Sequence, residues 1–438
     1  MCLISPKIDA MSPGKPLTLP CERCSIRAPA HAAIFPLRLN SAPPIAVTTV
    51  APPSAATCWV AQAKTGARAN PQLTEPSVEL TPAELKNLKS LHFQHREFEE
   101  LQAGLKLKNL PDNQLDEQPL PPPEGSILAV PEGAEEGSLR RHGQAAIDAG
   151  QAALVLLNGG MATRFGGRVK GVVDALPGRS FLALQLARLA TTGCPLVLMN
   201  SQATDSVTRS HLEENRFFGM DPTAVISFQQ SAAPRLTPAG DLYRDQQGAL
   251  SLYGPGHGDL LPSLRRSGAL ASLQRRGVKF LLVANVDNLG AELSAPLLGL
   301  FQKTGSQMMA EVCSKAPGEV GGSPAMVAGK VRIVEGFAFP PTFDQDSLPV
   351  FNTNTLWFRC DALEEALPLR WYQVHKRVNG EQVVQFERLV GQASWFLDSS
   401  YVKVPRRRFC PIKSPEDLSA AQTQLRALFD GSKTQESG

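Results

Sequence analysis

The sequence predicts a layered α/β domain built on a largely parallel sheet. Three observations lead there. Short apolar runs at 152–157, 195–199, 224–228 and 280–284 lack alternation, as strands buried on both faces do. Helical patterns lie between them, at 181–189 and 262–274. A glycine-rich turn directly follows the first run. Strand alternating with helix indicates helices layered on such a sheet.

Taken in chain order, the 438 residues begin with a stretch unlike the rest. Twelve of the 36 prolines precede Leu80, with only four acids, Asp9, Glu22, Glu75 and Glu79. No period of 2 or 3.6 is sustained, and Pro43-Pro44 and Pro52-Pro53 block helix and ladder alike. Residues 1–75 therefore read as a disordered Pro/Ala-rich leader. A targeting peptide and a later start at Met11 are the alternatives. Cys21-Glu22-Arg23-Cys24 lacks the second ligand pair a zinc site needs, so it reads as inert. Cys194, Cys313, Cys360 and Cys410 lie among apolar neighbours, as buried thiols of a reducing compartment do.

A helical arm and Pro-rich linker are expected over 76–137. Thr81-Pro82-Ala83-Glu84 supplies an N-cap, a proline at the first helical position and an acid in the first turn. Leu85, Leu88, Leu91, Phe98 and Leu101 continue an amphipathic helix of about 25 residues. Pro111, Pro121-Pro122-Pro123 and Pro131 end it, and a short helix over 138–149 stops at Gly150. The main domain is expected over 138–415, with further β segments at 308–313, 325–328 and 401–404. The tail, 416–438, opens on Pro415-Glu416-Asp417, and Leu418, Ala421, Leu425 and Leu428 share one helical face.

Composition excludes some functions. Lys plus Arg is 44 and Asp plus Glu 41, a net +3, too even for a protein that tracks nucleic-acid phosphates. No apolar run reaches the ~20 residues of a membrane helix. No nucleic-acid or membrane partner is expected, and the location expected is cytoplasmic.

The first strand runs into Asn158-Gly159-Gly160-Met161-Ala162-Thr163-Arg164-Phe165-Gly166-Gly167, with Lys170 beyond. Such glycines let backbone approach a ligand closely. Arg164 and Lys170 can then hold a polyphosphate, Arg as a planar fork and Lys as a point charge. An ordinary tight strand-to-helix turn explains the glycines equally well. The spacing fits neither G-x-G-x-x-G nor G-x-x-x-x-G-K-[ST], which disfavours a dinucleotide dehydrogenase and a P-loop ATPase.

The stretch Leu157–Arg164 resembles the signature loop of the UTP–glucose-1-phosphate uridylyltransferases (UDP-glucose pyrophosphorylases). Further echoes follow in that family's order. They are 198–201, Phe228-Gln229-Gln230 with Pro234-Arg235, Gly254-Pro255-Gly256-His257-Gly258-Asp259, 285–291, Phe351-Asn352-Thr353-Asn354 and 408–413. The resemblance covers about residues 140–420. It implies a Rossmann-like nucleotidyltransferase (GT-A-like) fold with a mixed, mostly parallel sheet. It implies an enzyme that joins UTP and a sugar 1-phosphate and releases pyrophosphate, by in-line attack on the α-phosphorus with Mg²⁺ assisting.

Roles follow from the resemblance. Arg164, Lys170 and Lys413 neutralise phosphate charge, Asp287 holds Mg²⁺, and the backbone of Gly159 and Gly160 lies at the nucleotide. Gly256 and Gln229 face uracil, and Asn285 lies beside Asp287. His257 meets the sugar phosphate, and Gly322, Glu335, Asn352 and Asn354 meet the sugar. Each has a plain counterpart: a capping Asp or Asn, a surface Gln, a solvated acid, a turn glycine. Asn352 and Asn354 alternate along an extended segment and so point to one side. Pro405-Arg406-Arg407-Arg408 has no interleaved aromatics and reads as the lead-in to Lys413.

Thr355 stands where the eukaryotic pattern often has a second Asn, which leaves the sugar epimer open. N-acetylglucosamine 1-phosphate, or a broad range of sugar 1-phosphates, is the alternative within the class. Asn158 favours glucose, since the N-acetylglucosamine enzymes usually show Ala there. A non-catalytic nucleotide-sugar-binding protein is the alternative outside it. Only 25 residues follow Lys413, short of the family's C-terminal β-helix, so a monomer or small homo-oligomer is expected.

Overall fold

The computed structural model describes residues 80–430, apart from 317 and 320. The expectations for residues 1–75 and for Cys21 and Cys24 lie outside the described residues. In chain order the strands are β1 (Ile127–Ala129), β2 (Ala152–Asn158), β3 (Leu196–Asn200), β4 (Val225–Gln229), β5 (Phe280–Asn285) and β6 (Met308–Ser314). Then come β7 (Ser323–Val327), β8 (Lys330–Val334), β9 (Val350–Arg359), β10 (Tyr372–Val378), β11 (Glu381–Glu387) and β12 (Ser399–Lys403).

The central sheet has the order β1-β12-β6-β9-β5-β2-β3-β4. Its pairs are parallel except around β9, which runs antiparallel between β5 and β6. This is the mixed, mostly parallel sheet that the sequence predicts. Every residue of β2 is buried because both faces are covered. Ala152, Leu154 and Leu156 enter one core cluster, Ala153, Val155 and Leu157 the other.

The helices are α1 (Pro82–Ser90), α2 (His95–Leu107), α3 (Gly133–Asp148), α4 (Phe181–Ala190), α5 (Asp205–Glu214), α6 (Leu260–Arg266), α7 (Ala269–Arg275), α8 (Ala295–Thr304) and α9 (Pro415–Phe429). Among the described residues none is long and apolar enough to cross a membrane. Crossing α3 and α8 approach at backbone distance. A Cβ on Gly143 would lie 1.9 Å from the Ala295 oxygen, and one on Gly299 2.0 Å from the Leu139 oxygen.

Several expectations are corrected. The 25-residue arm is two helices, broken at 91–94 where His92 takes a left-handed φ of 57°. Its start is as expected: Thr81 Oγ1 accepts from the Glu84 N–H, and Glu84 returns a bond to the Thr81 N–H. The helix expected over 138–149 begins at Gly133. The helix expected over 262–274 is α6 and α7, interrupted by Gly268 at φ 76°. The paired hairpins β7–β8 and β10–β11 lie outside the main sheet. The second turns on Asn379-Gly380, both with positive φ, a strong local hairpin signal.

The four described cysteines, Cys194, Cys313, Cys360 and Cys410, are buried and free. Of the Arg406–Arg408 run, Arg408 is buried. Its Nε and Nη2 bond the two oxygens of Glu311, on β6, at 2.7 and 2.8 Å. Trp357 Nε1 donates to the same carboxylate at 3.0 Å. Glu311→Ala would strand the guanidinium in the core. Urea unfolding should show a loss of roughly 3–5 kcal/mol. Arg140→Ala, which removes an exposed pair with Glu136, should change stability by less than about 1 kcal/mol.

Candidate active site

Parallel strands diverge in their connections at β2. From β2 the chain builds β3 and β4 to one side, then returns to lay β5 on the other. The loops leaving β2 and β5 therefore part at the carboxyl ends of the strands and leave a crevice, the place where open α/β sheets bind ligands.

Lys170 comes from the β2 loop and Asp287 from the β5 loop. Across the crevice Lys170 Nζ meets Asp287 Oδ2 at 2.5 Å. Both side chains are largely but not fully buried. The β2 loop folds as a small hairpin, 161–162 against 168–169, turned by Gly166 and Gly167 at φ 73° and 74°. These two glycines make the turn. Gly159 and Gly160 precede it, and a Cβ on Gly160 would meet nothing within 4 Å. Arg164 is exposed on this hairpin.

Segment 406–413 completes this side. A Cβ on Gly290 would lie 2.5 Å from the Arg407 oxygen, so the segment crosses flush on the β5 loop. Cys410 N–H donates to Asn288 Oδ1 at 2.9 Å, and Ile412 N–H to the Asp287 carbonyl at 3.1 Å. Exposed Lys413 follows directly, its own N–H bonded to Asp417 Oδ2 at 2.8 Å. Lys170 thus meets the Asp287 carboxylate, and the chain leading to Lys413 is bonded to the Asp287 backbone.

Asn354 donates to Asn285 Oδ1 at 3.1 Å, two residues from Asp287. Asn352 and Asn354 alternate with buried neighbours as expected, but the backbone between them is not regularly extended. Register against β6 shifts at Glu311/Val312, and Asn354 adopts φ 56°. Asn352 Oδ1 instead accepts from the Asn354 N–H, and the Asn352 N–H bonds Gly322 O at 2.7 Å. Glu335 lies beside them. A Cβ on Gly322 would lie 2.9 Å from its carboxylate, and one on Gly391 3.4 Å. Burial pushes the Glu335 carboxyl up to about 7.

His257 is partly buried, and its Nδ1 accepts the Val390 N–H at 3.0 Å. Burial lowers this imidazole to about 4. A neutral ring whose Nδ1 accepts must carry its proton on Nε2, so it presents one fixed donor. Gly391, next to Val390, borders Glu335, which joins the His257 loop to the Asn352 cluster.

Gly256 and Gln229 both make close contacts within the chain. Gly256 makes its close approach to this chain's own backbone: its Cβ would lie 2.4 Å from the Arg388 oxygen. Gln229 turns toward helix α5, where Nε2 donates to Asp205 Oδ2 at 3.1 Å. Its neighbour Gln230 is the one that enters the crevice. Cβ atoms on Gly159 and Gly254 would lie 2.8 and 2.0 Å from its Nε2. Gln229 ends β4 and Gln230 lies just beyond it, and their side chains leave in different directions. The sequence carries no signal for which of them enters the crevice. Asn158 is fully buried beneath the loop, donating to Asn200 Oδ1 at 2.8 Å and Thr208 Oγ1 at 2.9 Å.

The raised Glu335 and lowered His257 have opposite stability signatures. For Glu335, the stabilising protonated form is fully present below the ordinary carboxyl value of 4.5 and lost as pH rises through about 7. Glu335→Gln should therefore gain stability relative to the parent chain between those pH values, measured by thermal melting. His257 favours the neutral form, so its contribution is present above 6.5 and lost as pH falls toward about 4. Its ring should stay neutral at pH 6 by nitrogen NMR; a ring half-protonated there would contradict the burial.

A family model described as UTP–glucose-1-phosphate uridylyltransferase matches residues 122–437. A UTP–glucose-1-phosphate uridylyltransferase from Hordeum vulgare is 33% identical over 297 residues, covering 63% of this chain and 62% of the relative. The chain thus spans less than two thirds of that relative's length. A solved structure of UDP-glucose phosphorylase from Trypanosoma brucei superposes with a TM-score of 0.62 at 25% identity, covering 76% of each chain. UDP-glucose pyrophosphorylase from Leishmania major superposes with a TM-score of 0.60 at 24% identity, over 78% of this chain and 79% of that one.

Proposed function

The chain belongs to the UTP–glucose-1-phosphate uridylyltransferase family, and we propose that it transfers a uridylyl group from UTP to glucose 1-phosphate. The carrying observation is the Lys170–Asp287 pair at the crevice, with the 412–413 segment bonded to the Asp287 backbone. The phosphate oxygen of the sugar phosphate attacks the α-phosphorus of UTP in line. The bond from that phosphorus to the bridging oxygen breaks, and pyrophosphate leaves with its electron pair. No covalent intermediate on the protein is required, so the protein positions the reactants and neutralises charge.

Residues of this chain divide that task. The open space at Gly160 admits the nucleotide, with Gly159 packed on the amide of Gln230, which can both donate to and accept from uracil. Arg164, Lys170 and Lys413 offset phosphate charge. His257 offers its Nε2 proton to the sugar phosphate. Glu335 and Asn352, bordered by Gly322, meet sugar hydroxyls, and Asn354 orients Asn285.

A divalent cation such as Mg²⁺ suits Asp287. The carboxylate is a hard oxygen donor at the crevice, and Asn354 leaves its Oδ1 buried without a partner. Among the described residues no group of three or more His, Cys, Asp or Glu is poised to enclose a metal. Asp287 would therefore share the ion with the phosphates, as Mg²⁺ usually requires. When bound, the ion supplies further charge neutralisation at the reacting phosphates.

Pyrophosphate release from UTP, Mg²⁺ and a panel of sugar 1-phosphates tests this. Glucose 1-phosphate should be the best substrate. Turnover with N-acetylglucosamine 1-phosphate alone would replace the sugar, and silence on every sugar with UTP still bound would replace the enzyme reading. Asp287→Ala should lose at least ~10²-fold in kcat with its melting temperature retained. Lys413→Ala should raise the KM for UTP far more than it alters stability. Near-normal kinetics for either variant would discard that residue's role.

A further inference from the structure

Helices α1 and α2 precede residue 122, where the family match begins, and α2 meets the bed of the His257 loop at Arg388. We infer that Arg388 is a positioning residue through which helix α2 sets the His257 loop; its kinetic consequence rests on the uridylyltransferase reading.

The backbone of Arg388 is the bed on which that loop lies. Its N–H donates to Pro255 O at 2.9 Å, and its carbonyl accepts the Gly258 N–H at 2.7 Å. Cβ atoms on Gly256 and Gly258 would lie 2.4 and 2.6 Å from the Arg388 carbonyl group, so the loop sits flush against it. Two residues on, Val390 N–H fixes His257 Nδ1. Any displacement of residue 388 is passed directly to the imidazole.

The buried Arg388 side chain decides where that backbone rests. Nη2 donates to Asp259 Oδ1 at 3.2 Å and to Gln94 Oε1 at 3.1 Å. Nη1 lies 3.7 Å from Glu97 Oε2, and the guanidinium covers the Trp371 ring at 4.0 Å. Trp371 Nε1 donates to that same Glu97 oxygen at 3.1 Å. Gln94 stands at the N-cap position of α2 without a side-chain capping bond, and Glu97 lies in the first turn. Asp259 is held independently by the Ser231 N–H and the Ser263 hydroxyl. The adjustable contacts of the guanidinium are therefore those from α2. A rigid planar fork gripped on two sides transmits position, which a flexible ammonium would not.

Hydrogen exchange on the full chain, read by mass spectrometry, tests this without requiring activity. The double variant Gln94→Ala/Glu97→Ala should speed exchange in segments 254–259 and 388–392 by roughly tenfold, as local opening becomes easier. Glu97→Gln, which keeps an acceptor for Trp371, should restore most of the protection that Glu97→Ala loses. Arg96→Ala, exposed on the same helix, should leave these segments unchanged. In turnover, the double variant should raise the KM for glucose 1-phosphate severalfold and leave the KM for UTP near the parent value. Faster exchange confined to 82–107, with 254–259 and 388–392 unchanged, would overturn the coupling and leave the arm as packing alone. Should the parent chain turn over no sugar phosphate, the functional reading fails while the exchange result still decides this one. If the double variant does not fold, Gln94→Ala alone is read the same way.

Discussion

A carboxylate buried in the middle of the sheet needs a cationic partner, and much of this structure follows from it. Glu311 is fully buried on β6, where an unpaired charge would cost several kcal/mol. Arg408 meets it with two hydrogen bonds, so the chain must cross the sheet at that point on its way to the last helix. Gly290 lets the crossing lie against the β5 loop. The backbone bonds from Cys410 and Ile412 follow from that crossing, and they bring Lys413 beside Asp287. An interaction with no polyphosphate contact of its own thus fixes where a candidate phosphate-binding lysine begins.

The same logic organises the rest of the crevice. Lys170 and Asp287 are 117 residues apart in sequence and meet only because β2 and β5 are neighbours. Asn354 reaches Asn285 because the strand carrying it runs antiparallel beside β5 and bulges there. His257 is held as one neutral tautomer by a backbone N–H from beyond β11. His257 is thus aimed by backbone, and the Lys170–Asp287 and Asn354–Asn285 pairs by side chains from neighbouring elements. Polar groups fixed in advance need little reorganisation when charge develops.

Glycines divide into two kinds that composition does not distinguish. Gly166 and Gly167 are needed for left-handed backbone, and Gly143, Gly290 and Gly299 because another backbone passes where a Cβ would stand. Gly256 has both reasons. Among the loop's four glycines, Gly160 combines an ordinary φ with open space around its missing Cβ, as a glycine facing a ligand would. The cluster was therefore a sound pointer to a site and a poor guide to which member serves it.

Much was legible in the sequence because local physics dictates it. The unalternating apolar runs at 152–157, 195–199 and 280–284 form buried strands, while the run at 224–228 becomes the partly buried edge strand β4, and Thr81-Pro82-Ala83-Glu84 caps a helix with its own atoms. The motifs carrying the family resemblance lie in loops whose residue types fit phosphates and amide-recognised bases. Other features were out of reach because they depend on partners distant in sequence. The left-handed His92 between α1 and α2 answers to the body on which the arm packs. The choice of Gln230 over Gln229 depends on which face of β4 looks toward Gly159. The fate of the arginine run depends on Glu311 lying behind the crossing chain. The sequence by itself determined which elements form and which residue types could do the chemistry, since both rest on neighbours along the chain. The tertiary structure alone decided which of those residues share the crevice, because strand order and strand face bring side chains from separate loops to one point.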